Sequence, residues 1–109
     1  VPLAWMNRAN DLHASAGVLW LAMKEPMRHE FCKLLNFDKS FDLNTACQKN
    51  YCMLLGLSFE LLLKSTIIIK QNGGDVPAIH NLVKLAMLGN IMLNSEEEMA
   101  LKLLTEYVV

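Results

Sequence analysis

Residues 51–69 read YCMLLGLSFELLLKSTIII, and this stretch decides the fold. It is apolar on nearly every side of a helix, and its length also matches a membrane span. Two charged residues, Glu60 and Lys64, lie in its middle, where each would cost about 2.5–3.5 kcal/mol at a bilayer centre. They are four residues apart with the glutamate first, so they can pair on one helix face. We therefore predict a central helix that packs against several others.

Polar residues and glycines bound this helix. Thr45 and Gln48 have the spacing of a capping box, and Asp42 is an alternative N-cap. The end is predicted near Lys70, because Gln71-Asn72-Gly73-Gly74 follows and glycine adopts left-handed backbone geometry at little cost.

A second amphipathic helix is predicted from about Trp5 to Met23. Its apolar residues recur at alternating steps of four and three, as in a helix packed on others. They are Trp5, Ala9, Leu12, Ala16, Leu19 and Met23. Pro26 stops this helix, because proline has no amide donor.

Three shorter helices follow from local signals. Residues 27–35 form a short helix with Phe31, Leu34 and Leu35 facing inward. Another runs from Pro77 or Ala78 to Leu88, with Ile79, Leu82, Val83, Leu85 and Ala86 as its buried stripe. The last opens at Ser95, where Ser95-Glu96-Glu97-Glu98 forms a capping box with acids at the positive helix end. The expected fold is all-α, an antiparallel four- to five-helix up-and-down bundle, as one domain over residues 1–109.

Composition excludes several classes of function. Ten Lys and Arg against eleven Asp and Glu give a formal net charge of −1, so no strong field attracts nucleic acid or an anionic membrane. The three cysteines, Cys32, Cys47 and Cys52, have no zinc-finger spacing and no secretory signal accompanies them. We expect reduced thiols, no metal, no cofactor and a cytoplasmic location. The hydrophobic share of 53% favours a dense core or an apolar face for another subunit.

The segment from Leu57 to Tyr107 carries a resemblance. It contains FELLLK at residues 59–64, a glycine-bearing break, IHNLVKLAMLGN at residues 79–90, and an acidic capped helix ending in LTEY at residues 104–107. This order resembles the HEPN domains, small prokaryotic helical bundles. In that family a glutamate and lysine on a long helix precede a His-Asp/Asn-Leu turn into the next helix.

The resemblance implies several functions and one group of site residues. Many HEPN members are metal-independent ribonucleases of toxin–antitoxin or defence systems, while others accompany nucleotidyltransferases or bind nucleotides without cutting. A ligand site would then involve Glu60, Lys64, His80, Asn81 and Lys84. His80 matches the family's histidine, with Glu60 accepting a hydrogen bond from it as family members arrange these residues. The alternatives are that His80 caps or fills space between helices, and that Glu60 and Lys64 form an exposed pair.

The catalytic motif of the ribonuclease members, an arginine followed four to six residues later by a histidine, does not occur around His80. Arg8 and His13 match it literally, but they lie in the first helix. Residues five apart on a helix point about 140° away from each other. Arg8 and His13 are therefore a weak alternative catalytic pair, and a solvated helix face is the simpler interpretation.

These observations favour a non-catalytic, HEPN-like binding or interaction module over an enzyme. It would be a homodimer joined by an apolar helical face, with a nucleotide, RNA, a nucleotidyltransferase or another protein as partner and no membrane association. The alternatives are a metal-independent HEPN-type ribonuclease toxin and a structural helical domain of a larger complex.

Overall fold

The structure, a computed structural model, describes residues 2–108. This part of the chain forms five helices and no strand, which confirms the all-α helical bundle. The helices are α1 (Pro2–Met23), α2 (Met27–Leu34), α3 (Leu43–Lys70), α4 (Leu82–Leu88) and α5 (Ser95–Thr105).

Helix α1 lies antiparallel along one side of α3. The Ser58 hydroxyl donates a hydrogen bond of 2.7 Å to the Ala9 carbonyl, and further along, Trp20 stacks on Tyr51 with ring centroids 5.4 Å apart. The predicted apolar seam faces α3: Ala9, Leu12, Ala16 and Met23 are buried, and Trp5 and Leu19 are half-buried.

Helix α2 corrects one prediction. Leu34 and Leu35 do not face inward, since Leu34 is 78% exposed and Leu35 is also exposed. Phe31 is half-buried, as its side of the helix turns toward the bundle. The physical reason is that α2 contacts only α1 and α3 within residues 2–108, so no element covers its other face.

Helix α3 begins at Leu43 with Asp42 as its N-cap, the second of the two predicted starts. The Asp42 carboxylate accepts hydrogen bonds from the backbone N–H groups of Asn44 and Thr45 and from the Thr45 hydroxyl. Thr45 therefore supports the cap instead of forming it. The helix ends at Lys70, as predicted, and φ is +98° at Gly73 and +104° at Gly74.

Helix α4 begins at Leu82, so the predicted start at Pro77 or Ala78 is wrong. The Asn81 side chain caps α4 by accepting a hydrogen bond from the backbone N–H of Lys84. The residues before it stay non-helical because Ile79 packs on the core and His80 bonds to Glu60.

Contacts at both ends give the direction of α4. His80, just before it, reaches Glu60, and the Lys70 ammonium donates to the carbonyl of Gly89, just after it. The chain between α3 and α4 therefore returns along α3, and α4 runs in the same general direction as α3, so this pair of helices departs from the predicted antiparallel up-and-down order. The hydrophobic core between α3, α4 and α5 consists of Leu63, Ile67, Leu82, Leu85, Ala86, Leu101 and Leu104.

Helix α5 has its predicted acidic capping box, but one residue earlier than expected. Asn94, not Ser95, is the N-cap: its side chain accepts from the Glu97 backbone N–H at 2.8 Å, and the Glu97 carboxylate accepts from the Asn94 backbone N–H at 3.0 Å. The shift follows from Asn94 having the extended backbone that an N-cap requires, while Ser95 is already helical.

Among the described residues, α3 is long and apolar enough to cross a membrane. Length and composition alone are weak evidence, because the core helix of a soluble protein passes the same test. Here α3 is the helix that the other four all contact.

Gly56 allows α3 and α5 to approach closely. A Cβ at this position would lie 2.7 Å from Val108 Cγ1 and 3.2 Å from the Leu104 carbonyl oxygen, whereas a Cβ at Gly17 would meet nothing within 4 Å.

Gly56→Ala is expected to lower the free energy of unfolding by about 1–3 kcal/mol through overpacking. Gly17→Ala, the matched control, should raise it by about 0.5–1 kcal/mol. Urea denaturation measures both, and an equal stabilisation of the two variants would contradict the close contact.

The Asp42 cap predicts a pH-dependent contribution to stability. Hydrogen bonds from the Thr45 hydroxyl and then the Thr45 backbone N–H lower the pKa of Asp42 below its ordinary value of 3.8. A carboxyl whose pKa is lower in the folded state stabilises the fold above its unfolded pKa and loses that contribution as the pH falls through the folded one.

Asp42→Asn keeps a capping side chain without the titration. The free energy of unfolding of the wild type relative to this variant should be constant above about pH 5 and decline below about pH 4. Denaturant melts across this pH range test the expectation, and a difference that stays constant down to pH 2 would refute it.

Candidate functional site

Glu60 lies near the middle of α3 and is only 8% exposed. Its Oε1 is 2.9 Å from the Nδ1 of His80, a residue twenty positions further along the chain. A carboxylate can only accept hydrogen bonds, so His80 carries its proton on Nδ1 and donates it to Glu60. The predicted contact between Glu60 and His80 is therefore present.

Lys64 follows one helical turn after Glu60 and is also 8% exposed. Its Nζ is 3.6 Å from Glu60 Oε2, the carboxylate oxygen that His80 does not use. The interpretation of Glu60 and Lys64 as an exposed pair is thus wrong. A buried carboxylate has a partner at each oxygen, which offsets the cost of removing its charge from water.

His80 is held at one nitrogen and open at the other. Its side chain is 55% exposed, and Nδ1 is bonded to Glu60. The remaining ring nitrogen, Nε2, has no hydrogen-bond partner within residues 2–108, and in the neutral ring it carries the lone pair and accepts a hydrogen bond. The arrangement fixes the tautomer and orientation of a surface imidazole, so it can accept a hydrogen bond or present its ring for stacking.

Asn81 and Lys84 belong to a neighbouring surface, and neither forms a hydrogen bond or an ion pair with Glu60 within residues 2–108. With Val83, Met87, Glu98, Lys102 and Thr105, they line a groove of about 340 Å³ between α4 and α5. Asn81 uses its side-chain oxygen to cap α4, while Lys84 is exposed. The five predicted ligand residues therefore form two adjoining groups, the Glu60–Lys64–His80 cluster and the α4–α5 groove.

Arg8 and His13 lie exposed on α1. Neither makes a side-chain hydrogen bond or an ion pair within residues 2–108. Both residues lie inside the regular helix α1, where side chains five residues apart point about 140° away from each other. The two side chains do not converge on one point.

Thr105 is a residue that the sequence did not indicate. Its hydroxyl donates to the Leu101 carbonyl at 2.8 Å and accepts from the Leu82 backbone N–H at 3.1 Å. It thereby joins the last turn of α5 to the first turn of α4 and borders the α4–α5 groove. No local pattern marks a threonine for this role, since its partner lies 23 residues away.

Within the part of the chain that the structure describes, no group of three or more His, Cys, Asp or Glu side chains could hold a metal ion. The three cysteines are free thiols of intermediate exposure.

The buried cluster predicts unequal effects of removing its members. Glu60→Ala leaves the Lys64 ammonium buried without its partner, which should lower the free energy of unfolding by about 3–5 kcal/mol. His80→Ala should cost less, because its ring is largely exposed and Glu60 keeps Lys64.

The control is the double variant Glu60→Ala/Lys64→Met, which removes both charges. It should recover part of the stability lost in Glu60→Ala. Together with the wild type and the single variants Glu60→Ala and Lys64→Met, it completes a double-mutant cycle. Urea denaturation of the four proteins gives the coupling energy. A value near zero would mean that Glu60 and Lys64 do not interact.

No protein-family model, no curated protein and no solved structure matches this chain.

Proposed function

We propose that this protein is a non-catalytic, HEPN-like binding module of the cytoplasm that acts as a homodimer and binds a nucleotide or RNA beside His80. The observation that carries the proposal is the hydrogen bond from His80 Nδ1 to the buried Glu60 carboxylate. A buried charge that holds a surface ring in one orientation costs stability. Such an arrangement is expected where the ring has a partner outside the chain.

The α4–α5 groove supports an anionic ligand. Lys84 and Lys102 border it against the single carboxylate of Glu98, and none of the three forms an ion pair within residues 2–108. The two ammonium groups are suited to phosphate oxygens, and His80, next to Asn81 in the chain, supplies a lone pair or a stacking surface.

The order of motifs supports HEPN membership. The resemblance implied that a glutamate of the long helix meets the histidine of the following turn, and these two side chains are 2.9 Å apart here. A nucleotidyltransferase or another protein as a partner, and a place in a toxin–antitoxin system, are part of the same proposal.

The outward face of α1 supports the homodimer. Leu3, Val18 and Leu21 are exposed on it, and Ala14 between them is small. At 100° per residue, Leu3, Ala14, Val18 and Leu21 lie within about 60° of one another around α1, and they form a stripe that a second helix can pack against. We infer that two copies meet through this stripe.

A second candidate, a metal-independent ribonuclease, is favoured by one feature. An imidazole held by a carboxylate at Nδ1 and free at Nε2 is the arrangement of a general base. Against it, no arginine lies near His80 in the sequence.

RNA binding and cleavage distinguish the two candidates. Fluorescence anisotropy with a short single-stranded RNA is expected to show binding that His80→Ala weakens about fivefold or more, because base stacking contributes about 1–3 kcal/mol. Lys84→Gln should weaken it too, while Lys49→Gln, an exposed lysine of α3 outside both groups, should not. Total RNA incubated with the protein and a chelator should stay intact. Cleavage lost in His80→Ala or His13→Ala would establish the ribonuclease instead, and absence of binding would reject the RNA ligand.

The dimer is tested by placing charges on the stripe. Light scattering should give the mass of two chains for the wild type and of one chain for Val18→Glu/Leu21→Glu, because two like charges would be buried at the interface. Ser15→Glu, on an exposed and polar part of α1, is the matched control and should remain dimeric. A monomeric wild type would overturn this part of the proposal.

A further inference from the structure

A second groove, of about 920 Å³, lies between α2 and the segment 35–42 that leads into α3. It is far from His80: Asp42 and Glu60 are separated by 18 residues of helix, about 27 Å at 1.5 Å per residue. Its volume is in the range of small-molecule sites. The residues of the Glu60–Lys64–His80 cluster, of the α4–α5 groove and of the proposed dimer stripe on α1 do not border this groove.

Two phenylalanines form an apolar floor in this groove. The rings of Phe37 and Phe41 have centroids 4.6 Å apart and are tilted by 39°. They are 40% and 44% exposed. The turn that brings them together is closed by a hydrogen bond from the Phe41 backbone N–H to the Asp38 carbonyl. Exposed aromatic faces at fixed positions are a surface on which a planar ring can stack.

The acids around the groove are all occupied by the protein itself. Glu25 accepts two hydrogen bonds from Arg28, at 3.0 and 2.8 Å. Asp38 accepts from the Ser40 backbone N–H and hydroxyl, and Asp42 caps α3.

The basic side chains differ from the acids in this respect. Lys33, Lys39 and His29 border the groove and form no side-chain hydrogen bond or ion pair within residues 2–108. The polar groups left free for a ligand are therefore chiefly donors. The formal charges of the lining still balance, with Arg28, Lys33 and Lys39 against the three acids, so a highly charged anion would be repelled as much as attracted.

We propose that this groove binds a small planar aromatic molecule with a single anionic group, such as an aromatic carboxylate or a nucleoside monophosphate. The ring packs against the Phe37–Phe41 pair, and the anionic group receives hydrogen bonds from Lys33 or Lys39. A nucleoside triphosphate fits the balanced charge of the lining poorly. This site is independent of the proposed RNA interaction beside His80.

Cys32 provides a direct test, because it borders the groove whereas Cys47 and Cys52 do not, and all three thiols are of intermediate exposure. Alkylation by iodoacetamide, followed peptide by peptide with mass spectrometry, should be slowed at Cys32 by indole-3-carboxylate or AMP. Cys47 and Cys52 should react at unchanged rates as internal controls. The two probes distinguish a carboxylate ligand from a phosphate ligand.

Calorimetric titration with the better probe tests the assigned roles. Phe37→Ala is expected to weaken binding about fivefold or more, from the loss of stacking. Lys33→Gln/Lys39→Gln should weaken the charged probe but not uncharged indole, and Lys49→Gln should have no effect. Circular dichroism establishes that each variant is folded.

Three results would overturn the proposal. They are equal affinity for ribose 5-phosphate, which has no aromatic ring; tighter binding of ATP than of AMP; and the absence of Cys32 protection by either probe at millimolar concentration. Loss of RNA binding in His80→Ala would not affect the result with either aromatic probe. Failure of this groove to bind its ligand and failure of the proposed RNA function are therefore distinguishable.

Discussion

A 28-residue helix that is apolar on nearly every side has to be covered by other segments before it is stable in water, and the rest of this fold follows from that constraint on α3. Helix α1 covers one side over much of its length, α4 and α5 cover another near the C-terminal half, and α2 touches the N-terminal end. Close approach on the α5 side requires Gly56, since a larger residue would meet Leu104 and Val108.

The buried carboxylate of Glu60 places a second requirement on the same helix. One partner, Lys64, is supplied by the helix itself, because residues four apart lie on one face. The other, His80, comes from the segment after the glycine break and has to be brought back along α3. The bond to His80 therefore helps to fix the path of the chain before α4, so the candidate site and the topology share one interaction.

Coverage of the bundle by its own helices is incomplete. Exposed apolar side chains lie on the outward face of α1, and a second set lies on and around α4 and α5: Met87, Leu88, Met92, Met99 and Leu103. Exposed apolar side chains that form a contiguous patch are characteristic of contact sites for other molecules. The methionines are suited to such contacts, because their unbranched side chains adapt to different partners. Part of the hydrophobic surplus in the composition is therefore located at the surface.

The sequence by itself determined what depends on spacing within one helix or turn. The periodicity of α1, the end of α3 at the glycines and the pairing of Glu60 with Lys64 all follow from the 3.6-residue repeat and local backbone preferences. It also pointed to His80, through a motif resemblance, as the partner of Glu60.

Tertiary structure decided what depends on the path of the loops and the rotation of one helix against another. It left Leu34 and Leu35 exposed, because no helix within residues 2–108 covers that side of α2. It began α4 at Leu82, because Asn81 caps there while Ile79 and His80 are held by α3, and it assigned Thr105 a partner 23 residues away. Such contacts join segments distant in sequence, and the helical repeat does not encode their distance or direction.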